Sequence, residues 1–414
     1  MNERVVITGL GVILAGCRDA AGFWNRLRGG KSQVTEIPHL AARGSPVALG
    51  ARVTGFDYRR ELPDLAEQHA SRYSREILIT MAAAGGALRD AGLTKGSYEP
   101  GLTGFVDSTS RGPLAWWLAD EGRDVASATA RTLAGLPGSA ATMAAIHFNL
   151  QGLVTTISNA CIGGSQALGL AVHALRVGEA DVMLVGGHEF PFDPGIVTAL
   201  SQTGVLAHDA ERPSQAMRPY DRLHSGFALG EGAIVLCLER LERARRRQAR
   251  VYAELLGQKS INEANHPTTM DQSGKRAADL VGQLLAAARR RPSDLGYICG
   301  HGSATVYNDR AECQMVEQLF PDRPVMARPP LGSVKPIFGH CLGAAAIVNA
   351  AATALMLHHQ LLAPTANCEQ PAPDCPGDHI TDGPHPADLR LAASVSHALG
   401  SQSAAMLLST GADL

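Results

Sequence analysis

The feature that most limits what this chain can become is a set of short, nearly continuous runs of Val, Leu and Ile set between longer helical stretches. "DVMLVGG" (181–187), "GAIVLCLERL" (232–241) and "RVYAELLG" (250–257) are apolar at successive positions rather than at alternate ones. A strand of that kind must be covered on both faces, which a sheet with one wet face does not provide. The covering material is also in the sequence. "SREILITMAAAGGALRDAGL" (74–93), "ADLVGQLLAAARRR" (278–291) and "GAAAIVNAAATALMLHHQ" (343–360) have helical length and an Ala-rich composition. "RVVITGLGV" (4–12) reads as a further strand, and "FWNRLRGG" (23–30) as a helix closed by glycine. Helices alternating with buried strands predict a layered α/β architecture.

With 414 residues, 45% hydrophobic and 18% charged, the chain can hold one large α/β unit or two fused halves. The halves rhyme weakly. In each, a strand running into polar residues ("FVDSTSRG", "ICGHGSAT") is followed by a small-residue helix and then a closing strand pair. The seam is placed near Gly257, giving halves 1–256 and 257–414. "CEQPAPDCPGDHITDGPHP" (368–386) reads as a surface loop, and "LERARRRQAR" (241–250) as a solvated basic helix end. The "GLG" at 9–11 lacks the third glycine and the downstream acid of a dinucleotide site.

"TTISNACIGG" (155–164) passes from a β-branched run through small residues to an apolar helix, with Cys161 at the handover. Alone, Cys161 is as readily a packing residue as a reactive one. At a helix N-terminus, though, unpaired N–H groups favour a thiolate. Three further reactive residues occupy similar loops: His301 in "CGHGSAT", and Lys335 and His340 in "SVKPIFGHCLGAA". Lys335 is one of only five lysines among 37 basic residues. One cysteine, two histidines and one lysine in small-residue loops at strand ends are the set that carbon–carbon bond formation on thioesters requires.

Four blocks then carry a resemblance: "SNACIGGSQALGLAVHALRVGEADVMLVGG", "MRPYDRLHSGFALGEGAIVLCLE", "HGSATVYNDRAE" and "SVKPIFGHCLGAA". In order and spacing, from about residue 4 to residue 409, the chain resembles the β-ketoacyl-acyl carrier protein synthases, condensing enzymes of the thiolase superfamily. The resemblance implies a thiolase-like, duplicated α-β-α-β-α five-layered fold. It implies Cys161 as the nucleophile that accepts an acyl chain, activated by a helix N-terminus that lowers its thiol pKa. It implies His301 and His340 as donors to the enolate formed when a malonyl thioester loses CO2. Lys335 would organise the site, neutralised by its companion Glu312. An oxyanion hole would come from the backbone N–H groups of Cys161 and Leu399.

The chain departs from the family in the C-terminal loop. "VSHALGSQS" (395–403) has His397 and Leu399 where the family has two phenylalanines, and Ser403 where it has asparagine. His397 and Leu399 therefore replace the acyl gate. Trp116 and Trp117, in "RGPLAWWLADEGRD" (111–124), would floor the acyl pocket or pack at a dimer contact. These departures point towards a specialised type II polyketide or polyene pathway rather than general fatty acid synthesis. Same-fold alternatives are a non-decarboxylating acyltransferase and a non-catalytic, chain-length-setting partner, a role whose holders normally lack the cysteine.

A net charge of −2 gives no global attraction to nucleic acid or anionic membranes. No run of 18 apolar residues suggests a membrane span, and the N-terminus has no signal-peptide pattern. Eight scattered cysteines show neither zinc nor CxxC spacing, so the expectation is a reducing cytoplasm, no disulfides and no metal. No cofactor is expected beyond the phosphopantetheine arm that an acyl carrier protein brings. Arg72 and Arg75, on a "SRYSRE" helix, are the candidate carrier-docking residues. The expected assembly is a homodimer, or a heterodimer with a chain-length-factor-like homologue.

Overall fold

The computed structural model describes residues 3–118, 132–208 and 211–410. Ten strands make the framework. Those of the first half are β1 (Val5–Leu14), β2 (Thr103–Ser108), β3 (Val154–Ile157), β4 (Val182–Glu189) and β5 (Gly232–Arg240). Those of the second are β6 (Ala253–Asn262), β7 (Tyr297–Cys299), β8 (Leu331–Gly332), β9 (Leu391–Ala398) and β10 (Gln402–Ser409). The spatial order is β3-β2-β4-β5-β1 and then β6-β10-β9-β7-β8. Counted within its own half, each sheet has the order 3-2-4-5-1. Directions repeat as well: the second, third and fourth strands of each half run parallel, and the fifth pairs antiparallel with the fourth and the first. The weak sequence rhyme is thus a duplicated topology. The two sheets join edge to edge through a short antiparallel ladder, Val5–Ile7 against Ala253–Leu255. Gly257 lies inside β6, the strand that opens the second sheet.

The continuous apolar runs have a direct explanation in the layering. Along β4, Met183 and Val185 face one core while Val182 and Leu184 face another. Along β10, Met406 and Leu408 share that first core, and Ala405 and Leu407 face a third. Side chains alternate with period two, so a strand between two cores must be apolar at every position. The central core holds two helices, Gly163–Val177 and Ala345–His359. One outer core is covered by Arg75–Asp90 and Ser139–Phe148, and the other by Lys275–Ala287 and Val306–Leu319. The result is five layers, α-β-α-β-α.

Leu342–His359 is apolar and long enough to cross a membrane by composition alone, yet 89% of it is buried inside the protein. It is a core helix. Close approach sets its neighbour's sequence: a Cβ on Gly164 would stand 2.9 Å from Ile347 Cγ1. The "GLG" is explained in the same way, since a Cβ on Gly11 would meet the Ala83 carbonyl oxygen at 1.8 Å. Those glycines let a helix lie on β1.

Three expectations are corrected. The Pro-rich 368–386 segment is not simply a surface loop: Cys368, Cys375 and His379 are buried, and His379 stacks on Tyr220 with ring centroids 4.4 Å apart. The basic stretch after β5 is not fully solvated, because Arg243 and Arg247 both turn inward to the buried carboxylate of Glu239. "SRYSRE" is not a helix. Ser71 to Tyr73 form a turn, and Ser74 caps a helix that begins at Arg75 by accepting from the Ile77 N–H at 3.3 Å.

Candidate active site

Cys161 lies in a one-turn 3₁₀ segment, Ala160–Ile162, between β3 and the central helix Gly163–Val177. The turn is sharp enough to put Ala160 at φ +45°, a conformation that residues with a Cβ seldom adopt. Two side-chain amides brace it. Asn159 Nδ2 donates to Gln402 Oε1 at 2.9 Å, and Gln402 Nε2 returns a bond to Asn159 Oδ1 at 2.9 Å. The second half therefore grips the turn that carries the thiol of the first.

His340 follows the one-turn helix Lys335–Phe338. Its backbone N–H donates to the Ala228 carbonyl at 2.7 Å, and its ring meets Phe227 edge-on, with centroids 4.8 Å apart. The Leu342 N–H donates to His340 Nδ1 at 3.2 Å. That bond makes Nδ1 the acceptor, so in the neutral ring the hydrogen sits on Nε2. His340 Nε2 lies 3.2 Å from Cys161 Sγ. The ring of His301 stands at 81° to that of His340, centroids 5.1 Å apart. The reactive atoms of Cys161, His301 and His340, one from each, lie within 4.8 Å of one another.

Glu312 holds the loop behind His301. Its buried carboxylate accepts from His301 N at 2.5 Å, Gly302 N at 2.7 Å, Asn308 Nδ2 at 3.0 Å and Tyr220 Oη at 3.1 Å. The Lys335 ammonium donates to the His301 carbonyl oxygen. Lys335 and Glu312 thus grip the same loop from two sides. They make no direct ion pair among the described residues, so the expected companionship of Glu312 acts on the Lys335 charge at a distance rather than by contact.

Electrostatics follow from this burial. Burial, reinforced by the Lys335 ammonium, holds His301 and His340 well below the usual imidazole range, so both are neutral. Burial pulls the Lys335 ammonium down and lifts the Glu312 carboxyl to about 7. Burial also pushes the Cys161 thiol up to about 11, and Lys335 only partly offsets it. The expected thiol pKa below the ordinary value is therefore corrected. Desolvation outweighs the helix terminus, and the sulfur is a thiol that accepts from the His340 Nε2–H.

A cavity of about 180 Å³ is lined by Cys161, His301, His340, Phe227, His397 and Leu399 among others. A larger cleft of about 570 Å³, beside Trp24, Tyr252 and His359, is lined by neither cysteine nor lysine. Leu399 is exposed at the chamber wall directly after β9, and His397 is buried. Trp117 is 59% exposed and donates from Nε1 to the Gly135 carbonyl at 2.9 Å. Trp116 lies in the helix Leu114–Leu118, but its side chain is outside the described residues. Arg72 is exposed. Arg75 is not available as a docking residue: it pairs at 2.5 Å with the buried Glu231 and donates to the Val53 carbonyl at 2.6 Å. An arginine that neutralises a buried carboxylate cannot leave it for a partner without stranding that charge.

The match to known proteins spans both halves. Residues 2–244 fit the family model of the β-ketoacyl synthase N-terminal domain, and residues 252–369 that of its C-terminal domain. The chain belongs to the β-ketoacyl synthase family. It is an acyltransferase that forms carbon–carbon bonds. A putative polyketide β-ketoacyl synthase 1 of Streptomyces halstedii is 33% identical over 420 residues, covering 99% of this chain and 98% of the relative. The tetracenomycin polyketide synthase ketoacyl synthase alpha subunit of Streptomyces glaucescens is 32% identical, covering 98% and 97%. Among solved structures, a type II polyketide ketosynthase in complex with its acyl carrier protein and bound to a hexaketide superposes with a TM-score of 0.88 at 27% identity, covering 99% of this chain and 100% of that one. The ishigamide ketosynthase/chain length factor gives the same TM-score of 0.88 at 27% identity, again covering 99% of this chain and 100% of that one.

Several residues of this synthase's site are given no role by the motifs, although Tyr220, Asn308 and Asp309 lie within the blocks that carry the resemblance. Tyr220, Asn308 and Asp309 build the support behind His301: Asp309 accepts from Tyr220 N at 2.8 Å and from Ala304 N at 3.2 Å. Glu189 bridges the halves by accepting from Ser110 N at 2.9 Å and Gly343 N at 3.0 Å. One signal is present in the sequence: Asn308 and Glu312 are four apart on one helix, so a polar helix face points at the His301 loop.

Proposed function

We propose that the chain carries out decarboxylative condensation, extending an acyl group held on Cys161 by two carbons from malonyl-acyl carrier protein in a type II polyketide or polyene pathway. The observation that carries this reading is the convergence of the Cys161, His301 and His340 reactive atoms within 4.8 Å around one cavity. In the loading step Cys161 Sγ bonds to the acyl carbon, the carrier thiol leaves, and the thiol proton goes with it. Loss of CO2 from the malonyl group then leaves an enolate. The His340 Nε2–H, held in that tautomer by Leu342, is placed to donate to its oxyanion. A neutral His340 suits the task because burial and then Lys335 oppose its protonation. The enolate carbon attacks the acyl carbonyl, and the backbone N–H groups of Cys161 and Leu399 would receive the second oxyanion. Collapse expels the Cys161 thiolate.

Partner and cofactor follow the same reading. The phosphopantetheine arm belongs to the carrier, exposed Arg72 is a docking contact, and the second subunit is a copy or a chain-length-factor-like homologue. A relative named as an alpha subunit, together with the ketosynthase/chain length factor structure, supports the heterodimer. The retained thiol and both imidazoles disfavour a purely non-catalytic role. The test is incubation with an acyl-carrier donor and malonyl-carrier, followed by weighing the products. Extension by two carbons with CO2 release is expected. Stable acylation of Cys161 without extension would replace this reading with simple acyl transfer.

A further inference from the structure

Decarboxylative condensation as proposed uses one cysteine, two histidines and one lysine. A third histidine borders the same chamber, and its environment is more specific than that of a gate. His397 ends β9 and is the register partner of Ser403 in β10. Ser403 Oγ donates to Glu263 Oε1 at 2.5 Å, and His397 Nδ1 lies 2.8 Å from the same hydroxyl oxygen. A hydroxyl has one hydrogen, and here the carboxylate takes it. Ser403 Oγ must therefore accept from His397, whose hydrogen sits on Nδ1. His397 is held neutral, since burial and then Lys335 push its imidazole down to about 3. Its Nε2 is left with a lone pair.

That Nε2 is buried and has no hydrogen-bond partner. Glu312 Oε1 stands 3.9 Å away, too far for a hydrogen bond and already accepting from His301 N at 2.5 Å. The ring facing His397 is that of His301, at 79° and 6.0 Å between centroids. His301 Nδ1 is likewise buried without a partner. Two orphaned imidazole nitrogens on facing buried rings are each costly if both stay unmet. No direct bond joins them, and a single bridging water satisfies both only if one donates and the other accepts. Glu263 and Ser403 have already made His397 the acceptor.

We propose that His397 is a positioning residue: the chain Glu263–Ser403–His397 receives the Nδ1–H of His301, fixing that ring's tautomer and aim. This rests on the condensing function above and adds a residue to it. The two imidazoles next to Cys161 then differ, with His340 presenting a hydrogen at Nε2 and His301 a lone pair at the nitrogen open to the chamber, so of the two donors expected from the resemblance only His340 keeps that role.

The test has a spectroscopic arm and a kinetic arm. In protein labelled with ¹⁵N-histidine, with His301→Gln used to assign the signals, His301 should show a protonated Nδ1 and a bare Nε2. His397→Phe should shift that signature towards the other tautomer. The same variant should lower malonyl-acyl carrier protein decarboxylation about tenfold or more relative to self-acylation of Cys161. His397→Gln, whose amide oxygen can stand near the Nε2 position, should recover most of that loss. A wild-type His301 with its hydrogen on Nε2 overturns the proposal, as does a His397→Phe protein with an unchanged decarboxylation-to-acylation ratio. Should His397→Phe fail to fold, Ser403→Ala, which frees the His397 tautomer, should mix the His301 signals, and unmixed signals overturn the proposal. The tautomer is read without turnover, so a failed condensation assay would remove the proposed reaction and leave the assignment of the hydrogen to be decided by the spectrum.

Discussion

The two halves of the molecule share one strand order, yet they put different chemistry at the same place. In each, the third strand runs through a loop into a 3₁₀ turn and then a central helix: Ala160–Ile162 before Gly163–Val177, and Leu342–Ala344 before Ala345–His359. Both turns open on a residue with positive φ, Ala160 at +45° and Leu342 at +39°. The next residue is Cys161 in one half and Gly343 in the other. Duplication thus supplied two seats for a nucleophile, and only one is filled. At the other seat the backbone closes in: a Cβ on Gly343 would stand 2.3 Å from Ser110 N, and its N–H is committed to Glu189 at 3.0 Å. One half presents a side chain at this turn, and the other presents the loop that surrounds it.

The sharpest way to break this comparison is to empty the filled seat. Cys161→Ala should reduce condensation at least about a thousandfold, with loss of self-acylation seen by intact-protein mass. Malonyl decarboxylation should survive in the same variant, because the second half performs it. Persistent stable acylation would mean that the two turns are not divided in this way.

The next largest effect concerns the ammonium of the second half. Burial, and after it the Lys335 ammonium, holds His301 and His340 below the ordinary imidazole range. In Lys335→Met their pKa values should rise, so the rings protonate at higher pH. The acid limb of the decarboxylation profile should move up in pH, with a loss that grows as the pH falls, while burial still keeps both rings below the ordinary range. An unmoved limb would limit the lysine to holding the His301 carbonyl.

Filling the empty seat should cost stability rather than create a second nucleophile. Gly343→Ala is expected to destabilise by about 1–3 kcal/mol, read as a lowered denaturant midpoint. The smallest effect is expected at the surface. Arg72→Glu should weaken carrier binding a few-fold, more at low salt than at high, whereas Arg75→Glu should lower Tm because it strands Glu231.

The layers and the reactive residues are legible in the sequence because each leaves a local trace. Strands such as 181–187 are apolar at every position because two cores claim them, and Cys161, His301, Lys335 and His340 sit in small-residue loops beside strand or helix ends. What is not legible depends on distant partners. Glu189 and Glu263 are single acids in unremarkable surroundings, and their roles come from amides and a hydroxyl 79 to 154 positions away. Arg75 reads as surface because nothing local announces that Glu231 lies beneath it. The thiol pKa escapes the sequence for a related reason: a helix terminus is visible there, whereas the desolvation that outweighs it arises only when both halves close around the sulfur.

The Glu189 bridge has a consequence for how such a chamber can vary. Its carboxylate ties the backbone at Ser110 to the backbone at Gly343, so the gap between sulfur and imidazoles is spanned by main chain on both sides. Drawing the halves apart would expose a dry carboxylate, and pushing them together would drive backbone into backbone. The width of the reaction space is therefore a fixed gauge. Selection for longer, shorter or more unsaturated chains has to act at the rim, through side chains such as Leu399 that can change without altering that gauge.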